Sequence, residues 1–462
     1  MRAILLKIAS EYGDEVAQGM AAYIEQIANF SPPNHSTGPN WYDPASGDAY
    51  HLLMWWDPTT GKQDPMLHLR LYHHFDDADV VCIRSSWNDT ATHFVLRCGP
   101  AEGHRTTQNF LSKQMADWHA LFPNHLHADL NSFLIFDHGA HLVVDTGYVH
   151  YGEWQSTREH NTVAVDGEGQ IDPGNLCAPW DRYGRIGDFC AAPRTIYYLR
   201  GEAAEGYHIG LLERFDRHIM MIPDSEDEGT YFLIHDLLES CNAHTYEWLL
   251  HSANPAIIGE KQTYTIQENG RVLKTQLLKP KGLKANNGGS YNNVHKLALA
   301  PKSPQMNQEF LVVMTLFAVD AFEPAVALVD AGKAVRIDGM SWQDTITVGE
   351  IGGGILSDGA YSMVRQSSGE ILRWATVGST NVKYEDQLLL VSNSACFAAA
   401  TFYQGRCFIV LEVKIESEVK IFSISQPNIC FLNGQPITVE YAVSDRLVSV
   451  VVPMGRHELI IN

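Results

Sequence analysis

The segment that decides the fold spans residues 124–148 and is NHLHADLNSFLIFDHGAHLVVDTGY. Its second half contains two apolar runs, Phe133–Phe136 and Leu142–Val144, separated by Asp137-His138-Gly139. Short apolar runs on either side of a Gly-containing turn are typical of a β-hairpin. The sequence therefore predicts a hairpin over residues 132–145.

The residues that precede this hairpin carry the pattern of a metal site. His125 and His127 are two positions apart, so on an extended chain both imidazoles face the same side, and Asp129 can join them. Two imidazoles and a carboxylate suit Zn²⁺, which prefers nitrogen and oxygen ligands in a tetrahedral shell. A His-x-His pattern alone is more often a pair of hydrogen-bonded structural histidines, so the residues downstream decide between these interpretations.

Two further side chains of the right kind follow the histidine pair. Asp145 stands at the end of the predicted hairpin, and His160 precedes a short strand predicted over 161–165, which enters a turn at Asp166-Gly167. Both are residue types that bind Zn²⁺, so they strengthen the case for a metal site.

Composition and charge limit the functions that the chain can have. With 462 residues, 45% hydrophobic and 19% charged, it is an ordinary globular chain of two or three domains. A net charge of −21 argues against nucleic acid and anionic membranes as partners, and no apolar run approaches the ~20 residues of a membrane span. The eight cysteines form no Cys-x-x-Cys pair, so buried thiols and disulfides both stay open.

The rest of the chain predicts few helices and many strands. Residues 1–30 show helical spacing of apolar residues, and 31–47 have the composition of a linker. Further strands are predicted at 93–98, 231–234, 246–250, 264–277 (folded at Asn269-Gly270), 310–319, 386–391, 397–403, 407–413, 419–423 and 447–452, with a turn at Asn433-Gly434.

Taken together, the motifs resemble those of the heparinase II/III family, which includes heparin, heparan sulfate and oligoalginate lyases. The matching elements are His-x-His-x-Asp-x-x-Ser-Phe, then Asp-x-Gly-Tyr, then His-Asn-Thr-Val followed by Val-Asp-Gly, over residues 125–167. Residues 81–87, 99–104 and 248–251 also fit, so the resemblance covers roughly residues 40–260.

The resemblance implies a mainly β fold with three parts. These are a helical remnant of an (α/α) toroid with its linker (1–50), a large stacked antiparallel β-sandwich (51–364) and a small C-terminal β-domain (365–462). The family places a catalytic Tyr and a carboxylate-neutralising Asn or His on the toroid, of which this chain has room for only a helix or two.

The resemblance also implies residue roles in a β-elimination. His125 is the candidate base or carboxylate neutraliser, and Tyr148 and Tyr151 share a candidate role in proton transfer, with sugar stacking or core packing as alternatives. The candidate ligands of a structural Zn²⁺ are His127, Asp145 and His160, which could instead form a metal-free polar network. Asp129 is expected to orient a histidine, and the candidate substrate-binding residues are Arg158, His104 and His251.

Three functions follow from these residues. The first is a lyase acting on a uronate-containing acidic polysaccharide or oligosaccharide, such as a glycosaminoglycan or alginate. The others are a non-catalytic carbohydrate-binding or scaffold half, and a zinc-dependent glycan hydrolase. The resemblance implies a periplasmic or secreted protein, although no signal peptide is visible, and leaves a second copy or a separate toroid half as partners.

Overall fold

The computed structural model describes nine stretches of the chain, which divide into two compact units at residues 71 and 72. The described residues are 2–30, 59–100, 102–112, 127–146, 155–171, 182–223, 229–289, 294–349 and 351–462. The predicted linker, His125, Tyr148 and Tyr151 lie outside them.

The first unit contains two helices, α1 (Arg2–Tyr12) and α2 (Glu15–Phe30), where the sequence predicted one helix over residues 1–30. The break has a local cause. Gly13 adopts a positive φ of 64°, and the Asp14 carboxylate accepts a hydrogen bond from the backbone N of Ala17 at 2.9 Å, which starts the second helix. None of the helices described is both long and apolar enough to cross a membrane.

The second unit is built almost entirely of strands, with one α-helix, α3 (His104–Leu111), in its described part. The first seventeen strands are β1 (Tyr72–Phe75), β2 (Val80–Arg84), β3 (Thr92–Arg97), β4 (Ser132–Asp137), β5 (Ala140–Val143), β6 (Val163–Val165), β7 (Arg185–Ala192), β8 (Ile196–Glu202), β9 (Arg214–Ile222), β10 (Tyr231–His244), β11 (Tyr246–Ser252), β12 (Ile257–Ile258), β13 (Thr263–Glu268), β14 (Arg271–Lys279), β15 (Lys284–Gly289), β16 (His295–Ala300) and β17 (Gln305–Ala318).

The remaining fifteen strands belong to the C-terminal third of the chain. They are β18 (Ala325–Val329), β19 (Ala334–Asp338), β20 (Gln343–Val348), β21 (Ile351–Gly352), β22 (Ile355–Ser357), β23 (Tyr361–Ser367), β24 (Glu370–Tyr384), β25 (Gln387–Tyr403), β26 (Arg406–Val413), β27 (Ser417–Phe422), β28 (Cys430–Leu432), β29 (Gln435–Ile437), β30 (Glu440–Ala442), β31 (Leu447–Val452) and β32 (Gly455–Ile461). Single turns of 3₁₀ helix occupy Pro65–Leu67, Thr157–Glu159, Ala204–Gly206, Glu260–Gln262 and Asp330–Gly332.

Three antiparallel sheets enclose one core in the N-terminal part of this unit. Their strand orders are β1-β2-β3-β4-β5, β12-β13-β14-β17-β10-β9-β8-β7 and β15-β16-β11-β6. Phe94, Trp248 and Phe232, one from each sheet, belong to a single cluster of buried apolar side chains. Stacking of apolar sheet faces is the usual way in which an antiparallel β-protein removes them from water. The predicted mainly β class with stacked antiparallel sheets is confirmed.

Strands β18 to β32 form a fourth hydrogen-bonded sheet network. Buried residues of this network, among them Val335 and Met363, share a cluster with Tyr198 and Met220 of the eight-stranded sheet, so these two sheets stack. The predicted strands at 386–391 and 397–403 are one long strand, β25. Residue 365 falls within β23, and the expected domain limits 1–50, 51–364 and 365–462 stay predictions.

The predicted hairpins are confirmed where the structure describes them. His138 and Gly139 turn the chain between β4 and β5 with φ of 49° and 81°, and Asn269 and Gly270 do so between β13 and β14 with φ of 47° and 76°. These positive φ values favour Gly and Asn, which is why the turn residues were visible in the sequence. Every cysteine within the described residues is a free thiol.

Candidate metal and catalytic site

Three of the predicted site residues converge at one edge of the β-sandwich. His127 precedes β4, Asp145 follows β5, and His160 precedes β6. One potential ligand atom from each residue lies within 4.8 Å of the other two. Within the described residues, this is the one group of three or more His, Cys, Asp or Glu side chains that are close enough to hold a metal ion. Residues 127–131 lie outside the strands, and the chain enters β4 at Ser132, where the predicted hairpin begins.

The three side chains contact each other directly. Nδ1 of His160 donates a hydrogen bond to Oδ2 of Asp145 at 2.7 Å. The rings of His127 and His160 have their centroids 5.1 Å apart and are inclined by 44°. His160 is fully buried, whereas His127 and Asp145 are half-buried, so the group opens towards solvent on the side of these two residues.

The charges around the two imidazoles favour a cation at their centre. Burial lowers the pKa of His127, as does His160, and this keeps the imidazole neutral and able to act as a ligand. At His160 burial also acts to lower the pKa, but the Asp145 hydrogen bond and charge outweigh it and raise the pKa. Asp129 acts in the same direction as Asp145 on both histidines.

The donor set fits a zinc ion. Two imidazole nitrogens and one carboxylate oxygen are ligands that Zn²⁺ takes at about 2.0–2.2 Å, and atoms within 4.8 Å of one another need only small side-chain rotations to reach one ion at these distances. A fully buried His160, already fixed by a carboxylate, is the rigid ligand that such a site needs. Bound there, the metal would join the segment before β4, the end of β5 and the start of β6.

Asn161 fastens these segments to one another from the inside. Its Nδ2 donates to the backbone O of Phe133 at 2.9 Å and of Val144 at 2.7 Å, while its Oδ1 accepts from the backbone N of His251 at 2.6 Å. Val144 directly precedes Asp145. A single buried carboxamide therefore fixes three chain segments around the cluster.

Arg217 supports the same loops from the eight-stranded sheet. Its guanidinium is fully buried and donates to both carboxylate oxygens of Asp236, at 2.7 and 2.6 Å. Nη1 donates to the backbone O of Asn131 at 2.6 Å and of Asn161 at 2.7 Å. Trp248 Nε1 completes the arrangement with a hydrogen bond of 3.0 Å to Asp236. The pair thus holds the loop after His127 and the loop at His160 at fixed places over the sheet.

Asp129 lies near the cluster but is held by another partner. Its carboxylate accepts a hydrogen bond from Nη1 of Arg97, on β3. It acts on the pKa of His127 and His160 through its charge. The expected role of orienting a histidine stays a prediction.

The predicted substrate-binding residues are all engaged with other groups. Nη1 of Arg158 donates to Oε2 of Glu247 at 2.5 Å in a partly exposed ion pair. His104, at the start of α3, donates from Nε2 to Oδ2 of Asp79 at 2.6 Å, and Asp79 also accepts from His74 at 2.8 Å.

His251 has no surface from which to contact a sugar. It is fully buried, and its Nδ1 lies 3.2 Å from Oδ1 of Asn161. Burial, with smaller effects of Lys296 and His160, lowers its pKa to about 3. A neutral, enclosed imidazole in this place suits a positioning role better than the expected role in substrate binding.

Sequence reasoning missed Arg97, Arg217 and Asp236 as parts of the site. Asp236 interrupts the apolar strand YFLIHDLLE, and Arg217 lies in RFDRHIMMI, a strand that ends in an apolar run. A charged residue in the middle of a buried strand must be paired, so this interruption was a usable signal. The identity of the partner, and its contact with the loops, needed the structure.

Residues 70–289 match a family model described as Heparinase II/III-like, C-terminal. These residues contain the stacked sheets and the whole His/Asp cluster described above. The match is to the family that the motifs resemble, and it covers this part of the chain. No curated protein sequence matches the chain.

Solved structures similar to the chain include three polysaccharide lyases. The heparan sulfate lyase HepC from Pedobacter heparinus has a TM-score of 0.46 and 16% identity, over 71% of this chain and 47% of that one. Chondroitin AC lyase from Streptomyces coelicolor A3, in complex with chondroitin sulphate, has a TM-score of 0.49 and 10% identity, with coverages of 100% and 58%. A xanthan lyase from Paenibacillus has a TM-score of 0.47 and 11% identity, with coverages of 100% and 43%. The chain spans about half the length of these proteins.

Proposed function

We propose that the chain is the β-rich part of a polysaccharide lyase that cleaves a uronate-containing acidic polysaccharide or oligosaccharide by β-elimination. The observation that carries the proposal is the convergence of His127, Asp145 and His160 within the domain that matches the heparinase II/III-like family. Among the described residues, no other group of His, Cys, Asp and Glu side chains is arranged to hold a metal ion. The cluster lies beside loops and not inside the apolar core.

The metal in this proposal is a Zn²⁺ ion held by His127, Asp145 and His160. When bound it supplies positive charge and a cross-link between three loops, which is a structural role. Asn161 and the Arg217–Asp236 pair hold the same loops from the interior of the protein by hydrogen bonds.

The reaction places a base at C5 of the uronate and an acid at the glycosidic oxygen on C4. The base takes the C5 proton, the electron pair of that bond forms the C4–C5 double bond, and the C4–O bond breaks as its oxygen takes a proton. The motif assigns His125 as base or carboxylate neutraliser and Tyr148 and Tyr151 as proton-transfer candidates. A positioned base with a pKa near the working pH contributes roughly 10²–10⁴-fold to such a step.

Neutralising the substrate carboxylate is the second requirement, because it stabilises the enolate that develops at C5. Arg158 is our candidate for this contact, since its ion pair with Glu247 is partly exposed and can exchange one carboxylate for another. His104 remains a proposed cleft residue through the motif that it matches. The substrate class, glycosaminoglycan or alginate, and a location outside the cytoplasm follow from the family resemblance.

A panel of acidic glycans tests the proposal. The protein is incubated with alginate, heparan sulfate, hyaluronan and chondroitin sulfate, and the absorbance of the unsaturated uronate is followed over time. We expect new absorbance with at least one polymer, and its loss in His127→Ala but not in the exposed control His208→Ala.

The other outcomes assign the alternative functions. New reducing ends without unsaturated uronate would contradict elimination and identify a zinc-dependent hydrolase. Binding without cleavage, for the chain alone and after addition of a separate helical half, would identify a non-catalytic carbohydrate-binding half.

A further inference from the structure

The charges of this acidic protein are distributed unevenly along the chain. Residues 269–308 contain seven Lys and Arg residues and no Asp or Glu, although the net charge of the whole chain is −21. This segment covers β14, β15, β16 and the first residues of β17. A basic segment in such a protein is a local attraction for anions, because the surrounding charge repels them.

Part of this segment encloses a groove of about 500 Å³. Its walls are the turn 279–282 between β14 and β15, residues 301–303 between β16 and β17, and the first residues of β17. The Cβ position of Gly282 would be 3.9 Å from Nζ of Lys302, which shows how closely the two turns approach each other.

The acidic side chain that lines the groove is already neutralised. Oε1 of Glu309 accepts hydrogen bonds from Nε2 of His235 at 2.9 Å and from Nζ of Lys279 at 3.1 Å. Burial alone would raise the pKa of Glu309, but these two partners lower it, so the group is a satisfied carboxylate. Glu309 therefore does not compete for the remaining lysines.

Three exposed lysines at the groove keep their charge available. Lys281 and Lys302 line it, and Lys284 adjoins it because it pairs with Ala300 at the end of β16. None of the three forms an ion pair with a carboxylate in the part of the chain that the structure describes.

The neutral lining suits a sugar chain. Ser303, Gln305 and Asn307 contribute a hydroxyl and carboxamides, which donate to and accept from hydroxyl groups. The described lining contains no aromatic ring on which an uncharged sugar could stack, so charge on the ligand has to provide the attraction.

Strand register separates this groove from the metal cluster. Lys296 of β16 pairs with His251, whose backbone O accepts from Val144, the residue before Asp145. The groove begins at Pro301, five residues further along, which corresponds to about 16 Å at 3.3 Å per residue. The two sites are therefore distinct.

We propose that this groove is a second binding site, which holds a carboxylated or sulfated stretch of an acidic glycan outside the metal site. The proposal rests on the proposed function for the identity of the polymer. The ammonium groups of Lys281, Lys284 and Lys302 bind its acidic groups, and the neutral side chains bind its hydroxyls.

The test compares two triple variants with the same change of charge. The groove variant carries Lys281→Gln, Lys284→Gln and Lys302→Gln, and the control carries Lys333→Gln, Lys414→Gln and Lys420→Gln at exposed positions of the C-terminal sheet network. Binding to immobilised heparan sulfate and alginate is measured at constant salt concentration, with circular dichroism as a check of folding.

We expect the groove variant to bind glycan about tenfold more weakly, since three partly exposed charge contacts are lost, and the control to bind within about twofold of the original chain. In the lyase assay the groove variant should show a higher KM for polymer with unchanged kcat. Equal weakening in both variants, or absence of glycan binding by the original chain, would overturn the proposal. Groove-dependent binding of a single-stranded oligonucleotide in place of glycan would overturn it too. Binding is read without turnover, so failure of the lyase proposal leaves this result interpretable.

Discussion

Replacing Arg217 by lysine removes the support of the metal loops while keeping the buried charge. The guanidinium makes two hydrogen bonds to Asp236 and one each to the backbone O of Asn131 and Asn161, all between 2.6 and 2.7 Å. A single ammonium cannot reproduce this planar set of contacts. Each buried carbonyl left without a donor costs about 1–3 kcal/mol, so we expect the free energy of unfolding to fall by about 3 kcal/mol.

The same substitution should weaken metal binding, because the two backbone carbonyls that lose a donor belong to the loops that carry metal ligands. Asn131 lies in the loop after His127, and Asn161 directly follows His160. Loss of a group that orients metal ligands typically weakens metal binding 10–100-fold. We therefore expect the zinc dissociation constant of Arg217→Lys to rise by about tenfold or more, measured by competition with a chromophoric chelator under conditions in which the variant is folded.

A matched control comes from the chain itself. Arg365 is also buried and donates to both carboxylate oxygens of Asp344, at 2.7 and 2.6 Å, but it lies in β23, in a sheet network that contains none of the strands next to the three ligands (β4, β5 and β6) and has no contact described with their loops. Arg365→Lys should lower stability without changing zinc affinity. The reasoning is refuted if the two variants weaken zinc binding equally, or if Arg217→Lys binds zinc as the original chain does.

The remaining predictions concern the loops, the pH dependence and the substrate contact. Asn161→Asp should lower the free energy of unfolding by about 3 kcal/mol or more in urea titrations, because it removes two buried donors and buries a charge; an unchanged urea midpoint would contradict this. Burial, with smaller effects of nearby basic groups, holds the pKa of His218 well below 6.5. As the pH decreases, the unfolded chain therefore takes up a proton on this imidazole before the folded chain does, and the free energy of unfolding decreases. This loss is at most about 2 kcal/mol between pH 8 and pH 5; His218→Gln should remove it and exposed His208→Gln should not, and equal pH slopes would contradict the assignment. Glu247→Gln should change stability by less than about 1 kcal/mol and lower the KM for an acidic glycan by releasing Arg158, whereas an unchanged KM would exclude Arg158 from substrate binding.

The local parts of the fold were predictable because their signals are local. The turn at His138 and Gly139 follows from residue types that tolerate positive φ, and the alternation of β3 follows from the two-residue period of a strand. The break between α1 and α2 was missed, although Gly13 and Asp14 are a typical helix end and start.

The site could be predicted only as far as its ligands. His127, Asp145 and His160 were identified through a motif, and their convergence agrees with it. Their supports could not be identified in this way, because pairing across sheets leaves no periodic pattern in the sequence. Arg217 reaches Asn131, 86 residues earlier.

The predicted substrate-binding residues also make contacts with distant parts of the chain that the sequence did not predict. Arg158 reaches Glu247, 89 residues later. Nothing in the sequence indicated this ion pair. Because of it, Arg158 must release Glu247 before it can bind a carboxylate of the substrate. The burial of His251 was likewise not visible in the sequence, because a polar residue in a strand is normally placed on an exposed face, whereas residues 248–252 of β11 are buried on both faces.

Anomalous X-ray diffraction at the zinc absorption edge, from crystals of the protein grown with stoichiometric Zn²⁺, addresses the centre of the account. We predict one strong peak per chain, within bonding distance of His127, Asp145 and His160, and no peak at this place in crystals of His160→Ala. Ordered side chains with no anomalous signal between them, or a metal bound elsewhere on the chain, would contradict the assignment of these residues as ligands.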